Sequence, residues 1–366
     1  MSAGVPARPP RDQRLDIVRG WLQLTIFASH VYGSFVGGWM IHSAWGLSDS
    51  SELFVFLSGF TLGSVFARRA ARDGWRAGTR DLLRRTWRLY RIHLGVFALF
   101  AAMLLLAGPW LPGEARRLGF GFLLDHPVGA LPGVLSMLYQ PEWMGILPVF
   151  VWSMLLLPGF AWAEARFGGW ALLPPVLMYA LVWGVGLAAP SLAPGGGIAF
   201  NPFAWQMLFL VGAFLGRRAL LLGRALPFAA GWARWVTGVA AAVLLGGLLL
   251  RLAWYGFSPV AAPVAEARWS VGKEDLAWPR VLHAWALAWV VAALVPRDAG
   301  WMHGAVPRAV ATIGRFSLEV FCLGLFLAWG VSTALRLVPV WWLDPLLIGL
   351  GGWVLALFAG WLERRR

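Results

Sequence analysis

The chain has 366 residues, of which 59% are apolar and 13% charged, with a formal net charge of +14 and a mean hydropathy of +0.68. A water-soluble domain carries nearer a quarter of its residues charged, so this composition excludes an ordinary soluble fold and makes a bilayer the solvent. The one cysteine, Cys322, excludes an intrachain disulfide and a multi-cysteine metal site.

The opening residues, MSAGVPARPPRDQR, hold charge and proline but no short apolar stretch ending in a small-residue cleavage site. No cleaved signal peptide is expected, and the first apolar helix should stay in the membrane. A spanning helix needs about 20 mostly apolar residues. That measure yields ten segments: 17–35, 53–69, 89–111, 143–163, 170–189, 203–222, 235–252, 278–295, 310–335 and 341–361. The second is short and should lean on Arg68 and Arg69 snorkelling to the interface. No charge occurs between Arg166 and Arg217, a run too long for one span, and PSLAPGGG at 190–197 divides it. The stretch 120–138, broken by Asp125, His126 and prolines, reads as a loop or re-entrant segment. The expected fold class is an all-α polytopic integral membrane protein with about ten transmembrane helices. A tail of residues 1–14 and a basic end of 364–366 would flank one transmembrane domain, 15–363.

Starting inside and alternating over ten spans places 24 of the 31 Lys and Arg residues on the inner side and 7 outside. Cytoplasmic loops carry the basic excess, so both termini are expected in the cytoplasm. The net charge needs no nucleic acid, because anionic inner-leaflet lipid is a sufficient partner. The 25 Trp and 23 Phe supply rings for interfacial belts.

Ionisable groups at membrane depth are costly and usually functional. The first segment reads DIVRGWLQLTIFASHVYGS. At 100° per residue, Asp16, Gln23, His30 and Ser34 fall within about 60° of Arg19, on one stripe of an apolar helix. Eleven residues separate Arg19 from His30, about 16 Å along a helix axis. Arg19 should lie near the inner surface and His30 in the outer half. A packing seam is the competing reading, but seams are normally built from Ser, Thr and Gly rather than Arg with His.

The second segment opens SDSSELFVFLSGFTLG. Asp49 or Ser50 can cap it, and Glu52 suits its first turn by the helix dipole. Gly59 and Gly63 form a G-x-x-x-G packing pair on the face that carries Glu52, expected to meet the first helix. Arg280 and His283 share a face and read equally as a site lining or an internal bridge. Arg315 and Glu319, four apart, read as a bridge. His93 and His126 fit the interface and His42 and His303 fit loops, none with metal-ligand spacing.

Three of these blocks fall into a recognised order. Arg19-x10-His30, then ELFVFLSGF at 52–60, then Arg88-x-x-Arg91 together resemble the membrane acyltransferase-three superfamily. RLDIVRGW, SDSSELFVFLSGF, RLYRIHL, MGILPVF, FNPFAWQMLFLVGAFLG and GRFSLEVFCLG are similar to its OpgC-like branch, from Arg14 to about Gly324. The resemblance implies a bacterial inner-membrane enzyme moving a succinyl group from cytosolic acyl-CoA to a hydroxyl of a periplasmic glucan, with no tightly bound cofactor. It makes His30 the central catalytic residue and Arg19 its partner. Glu52 would be the usual acid, and Arg88 and Arg91 the cytoplasmic arginines. Gly145 stands where this branch is expected to carry an acid.

The chemistry fits. Moving an acyl group from a thioester to an alcohol needs a base at the hydroxyl and donors at the developing oxyanion. His30 can take the proton or carry the acyl group. Arg19 is too far along the helix to reach the same atoms and should grip donor groups or line the entry path rather than serve the oxyanion. Arg84, Arg88 and Arg91 share a face by i, i+4, i+7 spacing and suit the donor's phosphates. A succinyl carboxylate would need a cation, Arg280 first and Lys273 second. The rival reading is a transporter or flippase with a His/Arg-lined path, although no paired broken helices appear in two halves. A non-catalytic membrane subunit is the third.

Overall fold

The structure is a computed structural model describing residues 12–222, 231–257 and 271–366. Arg8, Arg11 and Arg224, counted above as inward charges, and most of the tail 1–14 lie outside them. Every regular element among the described residues is helical. Among the described residues, seven stretches are long and apolar enough to cross a bilayer: Ser50–Asp73, Trp75–Ala107, Ile146–Val185, Pro202–Leu221, Ala233–Trp254, Ser317–Leu337 and Leu343–Arg364. The chain is a multi-pass membrane protein.

Four of the ten expected segments account for the difference, two of them by joining into one. The first forms α1, Gln13–Ser29, of only 17 residues. Residues 143–163 and 170–189 join into one 40-residue stretch, made of α8 (Ile146–Phe167), a 3-10 turn and α9 (Leu173–Val185). The segment at 278–295 forms α12, Trp278–Leu294, again of 17 residues. The intervening elements are α2 (Phe35–Trp39), α3 (Ser50–Asp73), α4 (Trp75–Ala107), the short α5–α7 within 114–136, α10 (Pro202–Leu222) and α11 (Ala233–Trp254). The segment 310–335 divides at Phe316 (φ −111°) into α13, Ala305–Arg315, and α14, Ser317–Leu337. The last helix, α15, is Leu343–Arg364.

Local chemistry sets these ends. The Asp12 carboxylate caps α1 by accepting from the Arg14 N–H. Past His30, Gly33 adopts φ +75° and the Ser34 hydroxyl accepts from the Gly37 N–H, starting α2. The arginine-rich stretch 68–91, which joins the second and third expected segments, is helical on both sides of Gly74, whose φ of +86° makes the reversal. With 33 residues, α4 is about 50 Å long against a hydrocarbon layer of about 30 Å. Its arginine-rich first half therefore continues beyond the apolar core.

The described residues form two compact units. One holds Ser58–Leu226 and Gly272–Ala277. Within it, a Cβ on Gly59 would lie 1.9 Å from the Phe209 carbonyl oxygen, and one on Gly63 would lie 2.3 Å from that of Ala213. The two glycines therefore meet α10, not the first helix as expected, because only a missing side chain lets these backbones touch. The other unit holds Pro9–Leu57, Pro227–Val271 and Trp278–Arg366. There α1 crosses α13 just as closely: a Cβ on Gly20 would sit 1.8 Å from the Val310 oxygen, and one on Gly314 1.9 Å from that of Asp16. Phe27, Ile313, Phe316, Val320, Leu355 and Ala359 fill the core between α1, α13, α14 and α15.

Candidate active site

His30 is the C-cap of α1. The stripe counted through Ser34 assumed an unbroken helix, whereas the helix stops at Ser29 and Ser34 belongs to the next turn. Nδ1 of His30 lies 2.6 Å from the Ile26 carbonyl oxygen. A carbonyl only accepts, so Nδ1 carries the proton and Nε2 carries the lone pair. The C-terminal end of a helix dipole also favours positive charge at this position.

The turn after His30 is held from two other helices. The Tyr32 N–H donates to Ser332 Oγ on α14 at 2.9 Å. Asp344, buried at the start of α15, accepts from the Ser34 hydroxyl at 2.7 Å and from the Val36 N–H at 3.0 Å. The sequence reading missed both partners. The signal for Asp344 was its being the lone acid before an apolar run.

Glu52 fulfils two roles. Its Oε2 accepts from the Asp49 N–H at 2.8 Å, while Asp49 Oδ1 accepts from the Ser51 N–H at 2.7 Å, a reciprocal cap on α3. Its Oε1 accepts from Arg280 Nε at 2.6 Å, and Arg280 Nη2 reaches Asp49 at 3.1 Å. Glu52 is fully buried and Arg280 nearly so. Arg280 is thus already neutralised by two carboxylates and is poorly placed to receive a third. His283 Nδ1 shares a hydrogen bond of 2.8 Å with the Ser48 hydroxyl, and Gly46 and Gly247 close over its ring. The Arg280–His283 pair has internal partners.

Arg19 donates to Ser317 Oγ at 2.9 Å and lies 5.8 Å from the centre of the Phe54 ring. Thr25 and Ser50 share a hydrogen bond of 2.7 Å. Asp16 is buried beside Gly314, and Gln23 shares a crevice with His30. Arg315 donates to Thr312 and to Glu363, since the break at Phe316 ends the helix on which it was to meet Glu319. His42, in a 3-10 turn outside the spans, is held below its usual pKa by burial, with the charge of Asp49 opposing. Among the described residues no three His, Cys, Asp or Glu side chains gather as a metal site.

A family profile described as OpgC protein matches residues 11–366. The chain belongs to the OpgC family. That membership implies an acyltransferase role. No curated protein and no solved structure matches the chain.

The remaining residues singled out for an OpgC family member lie in the unit built around 58–226. Arg84, Arg88 and Arg91 are exposed on the continuous α4. An open groove of about 670 Å³ runs along the same helix, lined by Trp75, Arg76, Arg80, Arg84 and Trp87. The acids nearby are engaged elsewhere, Asp73 with Arg69 and Arg72, and Asp81 with Arg85. Lys273 Nζ sits 5.1 Å from the centre of the Phe200 ring. Gly145, where an acid was expected, has no space for one: a Cβ would lie 2.7 Å from Ala199 Cβ and 2.9 Å from Phe200 Cδ2. The departure at this position is built into the packing.

Proposed function

We propose that this OpgC family protein is an inner-membrane O-acyltransferase that moves an acyl group, succinyl, from cytosolic acyl-CoA to a hydroxyl of a periplasmic glucan. The observation that carries this reading is the 2.6 Å contact between His30 Nδ1 and the Ile26 carbonyl oxygen, which assigns the proton to Nδ1 and leaves Nε2 as the basic nitrogen. In the proposed reaction Nε2 takes the acceptor's hydroxyl proton as the alcohol oxygen bonds to the thioester carbon. The tetrahedral intermediate then collapses, the C–S bond breaks, and the proton passes from imidazolium to the departing thiolate. Arg19 grips the donor. Arg84, Arg88 and Arg91, on the exposed side of α4, have the forked donors that a polyphosphate takes. Glu52, with Asp49 and Arg280, fixes the start of α3.

The test is ester formation by the purified protein in lipid nanodiscs, supplied with succinyl-CoA and a glucan. Removing a general base typically costs 10²–10⁴-fold, so His30→Ala should lose transfer by roughly that factor while eluting as folded protein. Undiminished transfer by His30→Ala would sink the mechanism. Movement of intact substrate across the bilayer without a new ester would favour the transporter.

A further inference from the structure

His30 borders a narrow crevice between α1 and α14, lined by Gln23, Ile26, Phe27 and His30 on one side and Val320, Phe321, Gly324 and Leu325 on the other. Two independent features of its lining bear on what it could hold. Gln23 is 2% exposed, and its Nε2 has no hydrogen-bond partner. A buried amide donor left unsatisfied costs free energy, and such groups are rare without a reason. Across from it, Gly324 is buried, yet a Cβ there would meet nothing within 4 Å. Protein interiors are close-packed, so empty space beside a buried glycine is a gap the sequence keeps open. The crevice holds about 10 Å³, room for about one water.

We propose that this crevice is the acyl slot of the donor, with Gln23 as the residue that reads the far end of the acyl group. The inference rests on the acyltransferase reading and adds what selects the acyl chain. Apolar walls suit methylene groups, and at the inner end the Gln23 donor, with the Arg19 guanidinium one turn below it on α1 and bonded to Ser317 of α14, suits a terminal carboxylate. Seven residues separate Gln23 from His30, about 10 Å along the axis. A four-carbon dicarboxylic acyl group spans roughly 4 Å from thioester carbon to distal carboxylate carbon, and contacts of about 3 Å at each end bring the reach to about 10 Å. A two-carbon acyl group would leave Gln23 untouched. The chain enters by displacing the water-sized space and spreading the side chains beside Gly324.

The experiment compares kcat/KM for succinyl-CoA, butyryl-CoA and acetyl-CoA with the full-length protein in nanodiscs. Butyryl has the same length as succinyl without the terminal carboxylate. Wild-type should prefer succinyl. Gln23→Leu removes the donor and should shift the succinyl:butyryl ratio toward butyryl by roughly tenfold or more. Gly324→Val fills the gap and should lower both four-carbon donors relative to acetyl. Gln23→Met, closer in shape to glutamine, serves as a second variant if Gln23→Leu does not fold. An unchanged succinyl:butyryl ratio in an active Gln23 variant overturns the slot, as does equal loss on all three donors in both Gln23 variants. A Gly324→Val protein with an unaltered acetyl:succinyl ratio overturns it as well. Wild-type that transfers from no acyl-CoA overturns the acyltransferase reading itself, a separate result.

Discussion

Arg280 stands between Glu52 and Asp49 with its guanidinium almost wholly out of contact with solvent. Removing one partner of a buried ion pair is far worse than removing both, because the survivor keeps its desolvation cost without its attraction. Arg280→Met should therefore destabilise the protein by about 3–5 kcal/mol, leaving two carboxylates face to face. Glu52→Gln added to Arg280→Met should recover part of that loss. Thermal melting in detergent of the two single variants and the double variant measures the coupling, and simple additivity would show that the pair is not an energetic unit. At this scale the sequence revealed that Arg280 and Glu52 were costly residues. It did not reveal that they meet, since 228 residues separate them and spacing speaks only for neighbours on one helix.

Helices were the most legible part, because a run of apolar residues in a bilayer has few other ways to satisfy its backbone. Their ends were less so. Nothing in the period of DIVRGWLQLTIFASH signals that the helix stops before His30, because its end is set by the Ser34 cap and by side chains from α14 and α15. The arginine-rich stretch between the second and third expected segments lies outside both apolar runs, yet it is helical, because arginine is a good helix former and only Gly74 interrupts it. That rigidity gives the arginines a fixed spacing. Arg88→Glu combined with Arg91→Glu should raise the donor KM at least tenfold and leave the acceptor KM near its original value, read from steady-state kinetics with each substrate varied in turn. A donor KM that stays put would remove these residues from the donor site.

For the molecule as a whole, the parity of crossings decides which side of the membrane the last helix ends on. Ten crossings return the chain to its starting face and seven do not. The arginine excess favours ten, with α1, α9 and α12 crossing despite their 17, 13 and 17 residues. Reporters fused after Arg76 and after Arg366 should thus both be cytoplasmic, and one after Gly196 periplasmic. A periplasmic signal at Arg366 would show that an odd number of segments cross. The contacts of Asp344 with Ser34 and Val36 span 310 and 308 residues of chain. During synthesis, the turn beside His30 therefore lacks its clamp until the final helix has left the ribosome and found its place. Under the proposed chemistry a half-inserted chain is silent, and the cell's thioester pool is not exposed to a loosely held base while the rest of the protein is still being made.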